Sequence, residues 1–313
     1  MLKYFSRRVL AIIPTLFLVL LFLFSLIYLL PGDPASIMLG PRATPELIEN
    51  LNIRLGLDQP LHIRLGRYLL NIFHGDLGTS VWTGKTVTSL IFSALPYTIV
   101  LTLSSMALAA ILGIILGVLA AIRHNSVVDH AITVFSLITV SIPDFVLACL
   151  LLLIFAVHFR ILPVIGGGDP GDIGDQATHL ILPIIALSMG WMGYISRLVR
   201  DTTLEVLDMD YIKVMKSFGA PNNIIAYKYA LKNSIIPVVA TIGLGVGKLL
   251  GGAVFIEIIF NRPGIGSVVT DAVSARDLPV VQGGVLIAAL LFILANLITD
   301  LSYAYFDPRI RYK

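Results

Sequence analysis

The chain has 313 residues, 57% of them hydrophobic and 13% charged, with a formal net charge of +3 and a mean hydropathy of +0.91. A soluble globular domain carries roughly a quarter charged residues, so an ordinary water-soluble domain, a disordered chain and a fibrous chain are all excluded. The single cysteine, Cys149, excludes an intramolecular disulfide and a thiolate metal cluster; its place in the apolar run 147–155 predicts a small buried hydrophobe.

The apolar residues fall in long blocks, and roughly 20 helical residues cover a hydrocarbon core of about 30 Å. Six blocks are expected to span a membrane: 9–30, 97–122, 131–157, 180–196, 235–258 and 281–303, the fourth being the shortest. Each must be a helix, because lipid offers no partner for backbone polar groups. The first block follows Lys3, Arg7 and Arg8, yet it is too long for a signal-peptide core and lacks an Ala-x-Ala site before Pro31-Gly32-Asp33-Pro34. It reads as a retained span.

Between the first two spans, Thr44 is placed to cap a helix opening at Pro45, with Leu47, Leu51 and Leu55 on one face and Gly56 as the stop. Leu61, Leu65, Leu69, Ile72 and Phe73 form a second such face, ended by Gly75. These two amphipathic helices either cap the outer mouth of the protein or lie in the headgroup layer. After the third span, Gly166-Gly167-Gly168 does not link a strand to a helix, so it reads as a turn and not a phosphate cradle.

The segment 197–233 is the most densely charged. Within it, 211–218 reads as a short basic helix, Gly219 as its left-handed terminator and Pro221 as the first turn of a second helix reaching about Lys232. A solvated or lipid-anchoring loop has no need to break and restart a helix at a fixed place. With the N-terminus inside, thirteen of the twenty-two Lys and Arg residues lie on the inner side, six of them in this one loop. Both termini are therefore expected to be cytoplasmic.

Motifs for catalysis are missing: there is no Gly-x-x-x-x-Gly-Lys-Ser/Thr, no His-Glu-x-x-His and no Gly-x-Ser-x-Gly. The six histidines have no ligand spacing, so no metal is expected, and no nucleic-acid partner either. Four charged residues fall within the expected spans: Asp144, Lys248, Glu257 and Asp300. Such residues normally face a bundle interior or a cavity. Glu257 and Asp300 lie near span ends and snorkel cheaply, whereas Asp144 and Lys248 lie about halfway along theirs. A structural ion pair and a shared polar pathway are both open for that pair, and Glu257 joins them as a candidate pathway group. Small residues recur every four positions at Ala109, Gly113, Gly117 and Ala121, and at Gly243, Gly247 and Gly251. They form seams within the chain or with a second subunit.

The stretch Asp210-Tyr211-Ile212-Lys213 through Gly219, followed by Ala230-Leu231-Lys232-Asn233-Ser234-Ile235-Ile236-Pro237, resembles the coupling loop of ABC-importer permeases of the dipeptide, oligopeptide and nickel group, which also includes glutathione permeases. Other matches run in order along the chain: Pro31-Gly32-Asp33-Pro34, Gly56-Leu57-Asp58-Gln59-Pro60, Gly75-Asp76-Leu77-Gly78-Thr79-Ser80, Phe260-Asn261-Arg262-Pro263-Gly264-Ile265-Gly266 after Glu257, Pro279-Val280-Val281-Gln282 and Asp307-Pro308-Arg309-Ile310-Arg311. The departures are Val214-Met215-Lys216-Ser217-Phe218 in place of an Ala-rich run, Arg262 where the group often has Trp, and Asp144 where it often has a small residue.

The resemblance implies an all-α, multi-pass membrane protein with six transmembrane helices, the transmembrane domain of a type I ABC importer, in a bacterial or archaeal plasma membrane. Residues 1–96 would hold the first span and the outer segment, 97–303 the permease domain with its coupling loop 197–234, and 304–313 a cytoplasmic tail. It implies a passive transport subunit with no cofactor of its own. Two cytoplasmic ATP-binding subunits, which hold ATP and Mg, would dock on Tyr211, Lys213, Lys216, Gly219, Pro221, Lys228 and Lys232. A second homologous permease subunit and an extracytoplasmic solute-binding protein would complete the complex, with membrane lipid around it. The alternative is a self-sufficient ion-coupled carrier using Asp144, Lys248 and Glu257 as relay groups; the absence of inverted repeats and the helix-turn-helix loop favour the importer subunit.

Overall fold

The computed structural model describes residues 2–29, 33–56, 58–219, 221, 224–225, 229 and 231–306. Among these the regular structure is helical, apart from one isolated β-bridge between Thr79 and Thr86. In chain order the helices are α1 (Leu2–Leu29), α2 (Pro34–Leu39), α3 (Pro45–Leu55), α4 (Leu61–Phe73), α5 (Val87–Ile122), α6 (Val127–Ser141), α7 (Asp144–Leu151) with a π-helical continuation Leu152–His158, α8 (Ile173–Leu207), α9 (Asp210–Ser217), α10 (Leu231–Ile259), α11 (Ile265–Ala275) and α12 (Leu278–Phe306).

Among the described residues, Val87–Ile122, Ile173–Leu207, Pro237–Ile259 and Leu278–Thr299 are each long and apolar enough to cross a membrane. The region expected as one helix over 131–157 is instead broken: α6 and the segment Asp144–His158 meet at 101°. Proline supplies the reason. Pro143 disfavours helical geometry at the residue before it, and Ile142 is extended at φ −88°, ψ 122°. Asp144 is therefore the first residue of a new helix and not the middle of an old one. The fourth expected span proves the opposite of short. α8 runs 35 residues, because Asp172 caps it with bonds from the Gly174 and Asp175 amides and the helix continues past Arg197, where apolarity ends.

The chain forms two compact units, one built from Ile99–Arg262 with the ends of the chain, the other from Ser6–Thr98 with Pro263–Ile293. In the first, α8 is the hub, packed against α6, α7 and α10. Its core includes Leu101, Leu187, Ile195, Val199, Leu249 and Ile256. The small-residue ridge of α5 lies on α8: a Cβ built at Gly117 would stand 2.5 Å from the Ser196 carbonyl oxygen and 2.6 Å from Val199 Cβ, and one at Gly113 would stand 2.9 Å from Ile195 Cβ. This seam is internal to the chain. Gly243 likewise sits against Thr299, whereas Gly251 faces open space. Cys149 is exposed, contrary to the expected burial, because its neighbour Ala148 occupies the buried face of α7.

The second unit contains both amphipathic helices. Thr44 Oγ1 accepts from the Leu47 amide and Gly56 ends α3 at φ 65°; Leu51 packs with Ala35 and Met38. On α4, Tyr68, Leu69 and Ile72 pack with Leu20, Leu23 and Leu286, while Leu61 and Phe73 from the expected apolar face remain exposed. Two buried side-chain bonds pin this unit: Ser80 Oγ donates to Asp277 Oδ2 at 2.6 Å, and Gln282 Nε2 donates to the Leu23 carbonyl at 2.7 Å.

Candidate functional site

The charged loop folds as expected in its described part. α8 ends at Leu207, Asp208 and Met209 make a sharp connection, and α9 follows at once. Ile212 is fully buried and anchors α9. The opposite face is exposed to solvent at Tyr211 and Val214, and Phe218 just beyond the helix is 88% exposed. Lys213 Nζ donates to Asp210 Oδ1 at 2.9 Å, which holds the Asp210 carboxyl below the usual carboxylate range and raises Lys213. Gly219 is left-handed at φ 78°, where a side chain is strained. The Ile225 amide donates to the Pro221 carbonyl at 3.1 Å, a helical step that fits Pro221 as a first-turn residue. Lys228 and the Lys232 side chain lie outside the described residues, as do the Asp300 side chain and the tail from 307. The start of α10 is tied to α8 where Thr203 Oγ1 donates to Ser234 Oγ at 3.2 Å.

Sequence reasoning did not single out the polar node at this end of α8. Asp129, 2% exposed, takes a two-pronged bond from Arg200: Nε to Oδ1 at 2.6 Å and Nη2 to Oδ2 at 2.9 Å. The Asn125 amide donates to Oδ2 at 3.0 Å, and His124 Nδ1 lies 3.3 Å from the same oxygen. The node fixes the α5–α6 turn to α8, seven residues before α8 ends. Its local signal was Ser126, which caps α6 by accepting from the Asp129 amide; the pairing with Arg200, 71 residues away, has no local sign.

Asp144, now at the head of α7, and Lys248 line one cavity but form no ion pair there. A cavity of about 400 Å3 is lined by Asp144, Gly190, Trp191, Tyr194, Thr241 and Lys248, with Val140 and Leu244. Neither Asp144 nor Lys248 makes a hydrogen bond or salt bridge among the described residues. The Asp144 carboxylate lies in a slot between two glycines. A Cβ at Gly190 would stand 3.3 Å from Oδ1, and one at Gly252 would stand 3.8 Å from Oδ2. Gly193, one turn from Gly190, lets α6 approach so closely that a Cβ there would stand 2.7 Å from the Ser136 carbonyl oxygen. Phe145 and Phe255, with centroids 6.1 Å apart, hold α7 to α10 beside the slot. Trp191 and Tyr194, which also line the cavity, meet edge to face at 5.8 Å.

Broken helices at membrane depth persist where the freed backbone is buried in protein or lines a wet cavity, and charges there cost about 2.5–3.5 kcal/mol each on insertion scales. Both features converge here. Glu257 does not belong to this site. It is fully buried, not snorkelling as expected, near the equally enclosed Arg262, whose amide donates to the Glu257 carbonyl at 2.8 Å.

Comparison with known proteins gives a consistent picture. Residues 113–312 match the family described as binding-protein-dependent transport system inner membrane component, and residues 1–102 match the N-terminal component of the same kind of protein. The dipeptide transport system permease protein DppB of Alkalihalophilus pseudofirmus is 40% identical over 333 residues, covering all of both chains. The glutathione transport system permease protein GsiC of Salmonella typhimurium is 38% identical over 313 residues, again covering both chains. A probable peptide ABC transporter permease protein, y4tP of Sinorhizobium fredii, is 38% identical over 99% of each chain. Among solved structures, the inward-facing MetNI methionine ABC transporter has a similar fold, with a TM-score of 0.58 at 18% identity, over 70% of this chain and 96% of that one.

Proposed function

We propose a function from one premise: the chain belongs to the family of binding-protein-dependent transport system inner membrane components. It is a transmembrane permease subunit of an ATP-driven importer, and its cargo is peptides: dipeptides, longer peptides or glutathione-like conjugates. Six helices cross the plasma membrane of a bacterium or archaeon with both termini inside, residues 1–96 carrying the first span and outer segment and 97–303 the pathway. A solute-binding protein delivers cargo outside. Inside, two ATP-binding subunits, which carry ATP and Mg, dock on this chain and on a second, homologous permease.

One observation carries the reading beyond family membership. α9 presents an exposed Tyr211, Val214 and Phe218 face directly at the end of α8, which itself walls the polar cavity at Gly190, Trp191 and Tyr194. From Tyr194 to Leu207 the continuous helix spans about 20 Å at ~1.5 Å per residue. A displacement of α9 by the closing ATPases therefore reaches the cavity wall through one rigid element, and interfaces of this kind switch between discrete packings. Tyr211, Lys213, Lys216, Gly219, Pro221, Lys228 and Lys232 form the docking face.

The test is uptake of a radiolabelled dipeptide into proteoliposomes holding the full complex. Accumulation is expected to require ATP hydrolysis and the binding protein. Accumulation driven by an ion gradient with the ATP-binding subunits left out would instead establish the ion-coupled carrier.

A further inference from the structure

The cavity beside the helix break carries a second conclusion, one that rests on the importer reading. We propose that it is a way-station for the termini of the passing peptide, in which Asp144 takes the α-ammonium group, Lys248 takes the α-carboxylate, and Trp191 and Tyr194 contact the side chains between them. The chemical class is a short zwitterionic peptide with both ends free.

Two opposite charges line one cavity without pairing with each other or with any other described residue. A structural ion pair would have closed the distance, since the lysine stem is long and flexible. The carboxylate lies beside Gly190 and Gly252, where a built Cβ would stand 3.3 Å from Oδ1 and 3.8 Å from Oδ2, and Asp144 stands on the first turn of a helix opened by Pro143. Lys248 lies one turn before Gly252 on α10, so both charges bear on one face of that helix. The volume, about 400 Å3, falls within the usual range for small-ligand sites, ~300–1,000 Å3. Aromatic walls with a few fixed charges suit a ligand whose side chains vary and whose two ends do not. Both poles must be present together, because a site for a cation alone would not keep a lysine, nor one for an anion an aspartate.

The experiment uses the complete permease–ATPase complex in native-lipid vesicles and a diazirine dipeptide, alanyl-photoleucine, with labelled positions mapped by mass spectrometry. Labelling is expected at Trp191, Tyr194 or Thr241. Alanyl-leucine should displace the probe at least tenfold better than N-acetyl-alanyl-leucine or alanyl-leucine amide. Asp144→Asn should erase the preference over the acetylated competitor only, and Lys248→Gln the preference over the amidated one only. Labelling outside the cavity, or equal displacement by free and capped dipeptides, overturns the proposal without recourse to any variant. Variants that lose assembly with the second permease, while wild-type labelling shows no preference for free ends, assign the charges to the subunit interface instead. ATP-dependent dipeptide uptake, measured on the same wild-type vesicles, separates the two readings. If uptake persists while labelling fails, only the way-station is lost; if uptake itself is absent, the importer reading falls.

Discussion

Replacing Asp129 by alanine should be among the most damaging single changes outside the membrane core. The side chain is 2% exposed and receives both prongs of the Arg200 guanidinium at 2.6 and 2.9 Å, together with the Asn125 amide. Removing one member of a buried pair typically costs about 3–5 kcal/mol, because the other charge is left uncompensated. Arg200 retains 21% exposure and a second partner, Asp201 Oδ1 at 3.0 Å, so part of its charge remains satisfied. Discounting for that access, a loss of about 2–3 kcal/mol is expected. For a chain of 313 residues that is a fall in Tm of about 3–5 °C.

The assay is thermal unfolding of the purified complex, followed by tryptophan fluorescence, at low and at high salt. A pair this enclosed is screened little, so the loss should be similar in both. Asp129→Asn keeps the shape and an acceptor for Asn125 and should lose roughly half as much. A Tm within about 1 °C of wild type, or a loss that disappears in high salt, would refute the claim that this node fastens the α5–α6 turn to α8.

Three further outcomes follow from particular contacts. At Gly219, φ is 78° and nothing lies within 4 Å of a built Cβ, so backbone strain alone decides: Gly219→Asn, which tolerates this region, should retain uptake, while Gly219→Val, at a cost of about 1–2 kcal/mol, should hydrolyse ATP without transport in the proteoliposome assay. Gly117→Val would force the α5–α8 seam apart against the Ser196 carbonyl, with an overpacking cost of about 1–3 kcal/mol, read as reduced yield of assembled complex on size-exclusion chromatography. Ser80→Ala strips a 2.6 Å bond from buried Asp277 and should cost about 1–3 kcal/mol locally, seen as faster hydrogen exchange at the Val81 and Thr83 amides while amides in α8 are unchanged.

The sequence was most legible where the cause is local. Thr44, Pro45 and Gly56 bound α3 as their capping chemistry requires, and Gly219 terminates the α9 turn through its left-handed φ. It was less legible where a rule has two readings. Apolarity alone joined 131–157 into one span, although Pro143 was visible; proline is common enough in membrane helices, Pro96 and Pro183 being examples within intact ones, that its presence did not decide the matter. What distinguishes Pro143 is its setting, with Gly190 and Gly193 of α8 making room for the bend, and that is a tertiary fact. The same holds for Asp129 with Arg200 and for Ser80 with Asp277, whose partners stand 71 and 197 residues away. Asp144 and Lys248 do line one cavity, but not by the expected route, since Asp144 heads a new helix instead of lying halfway along an unbroken one.

That they do not touch gives the broken helix its meaning. An unbroken third span would carry its backbone hydrogen bonds through the bend and present no carboxylate at the head of a helix. The break at Ile142–Pro143 turns the chain by 101° and sets Asp144 beside Gly190 and Gly252, where a built Cβ at Gly190 would stand only 3.3 Å from Oδ1. α8, by contrast, stays helical for 35 residues despite Pro183, since a lost hydrogen bond near one end of a well-packed helix is tolerated. A bent element therefore stands against a stiff one, with the cavity between them. Phe145 and Phe255 hold α7 to α10 beside that space, and among the described residues no salt bridge between Asp144 and Lys248 closes it, so both charges stay available to whatever enters the cavity.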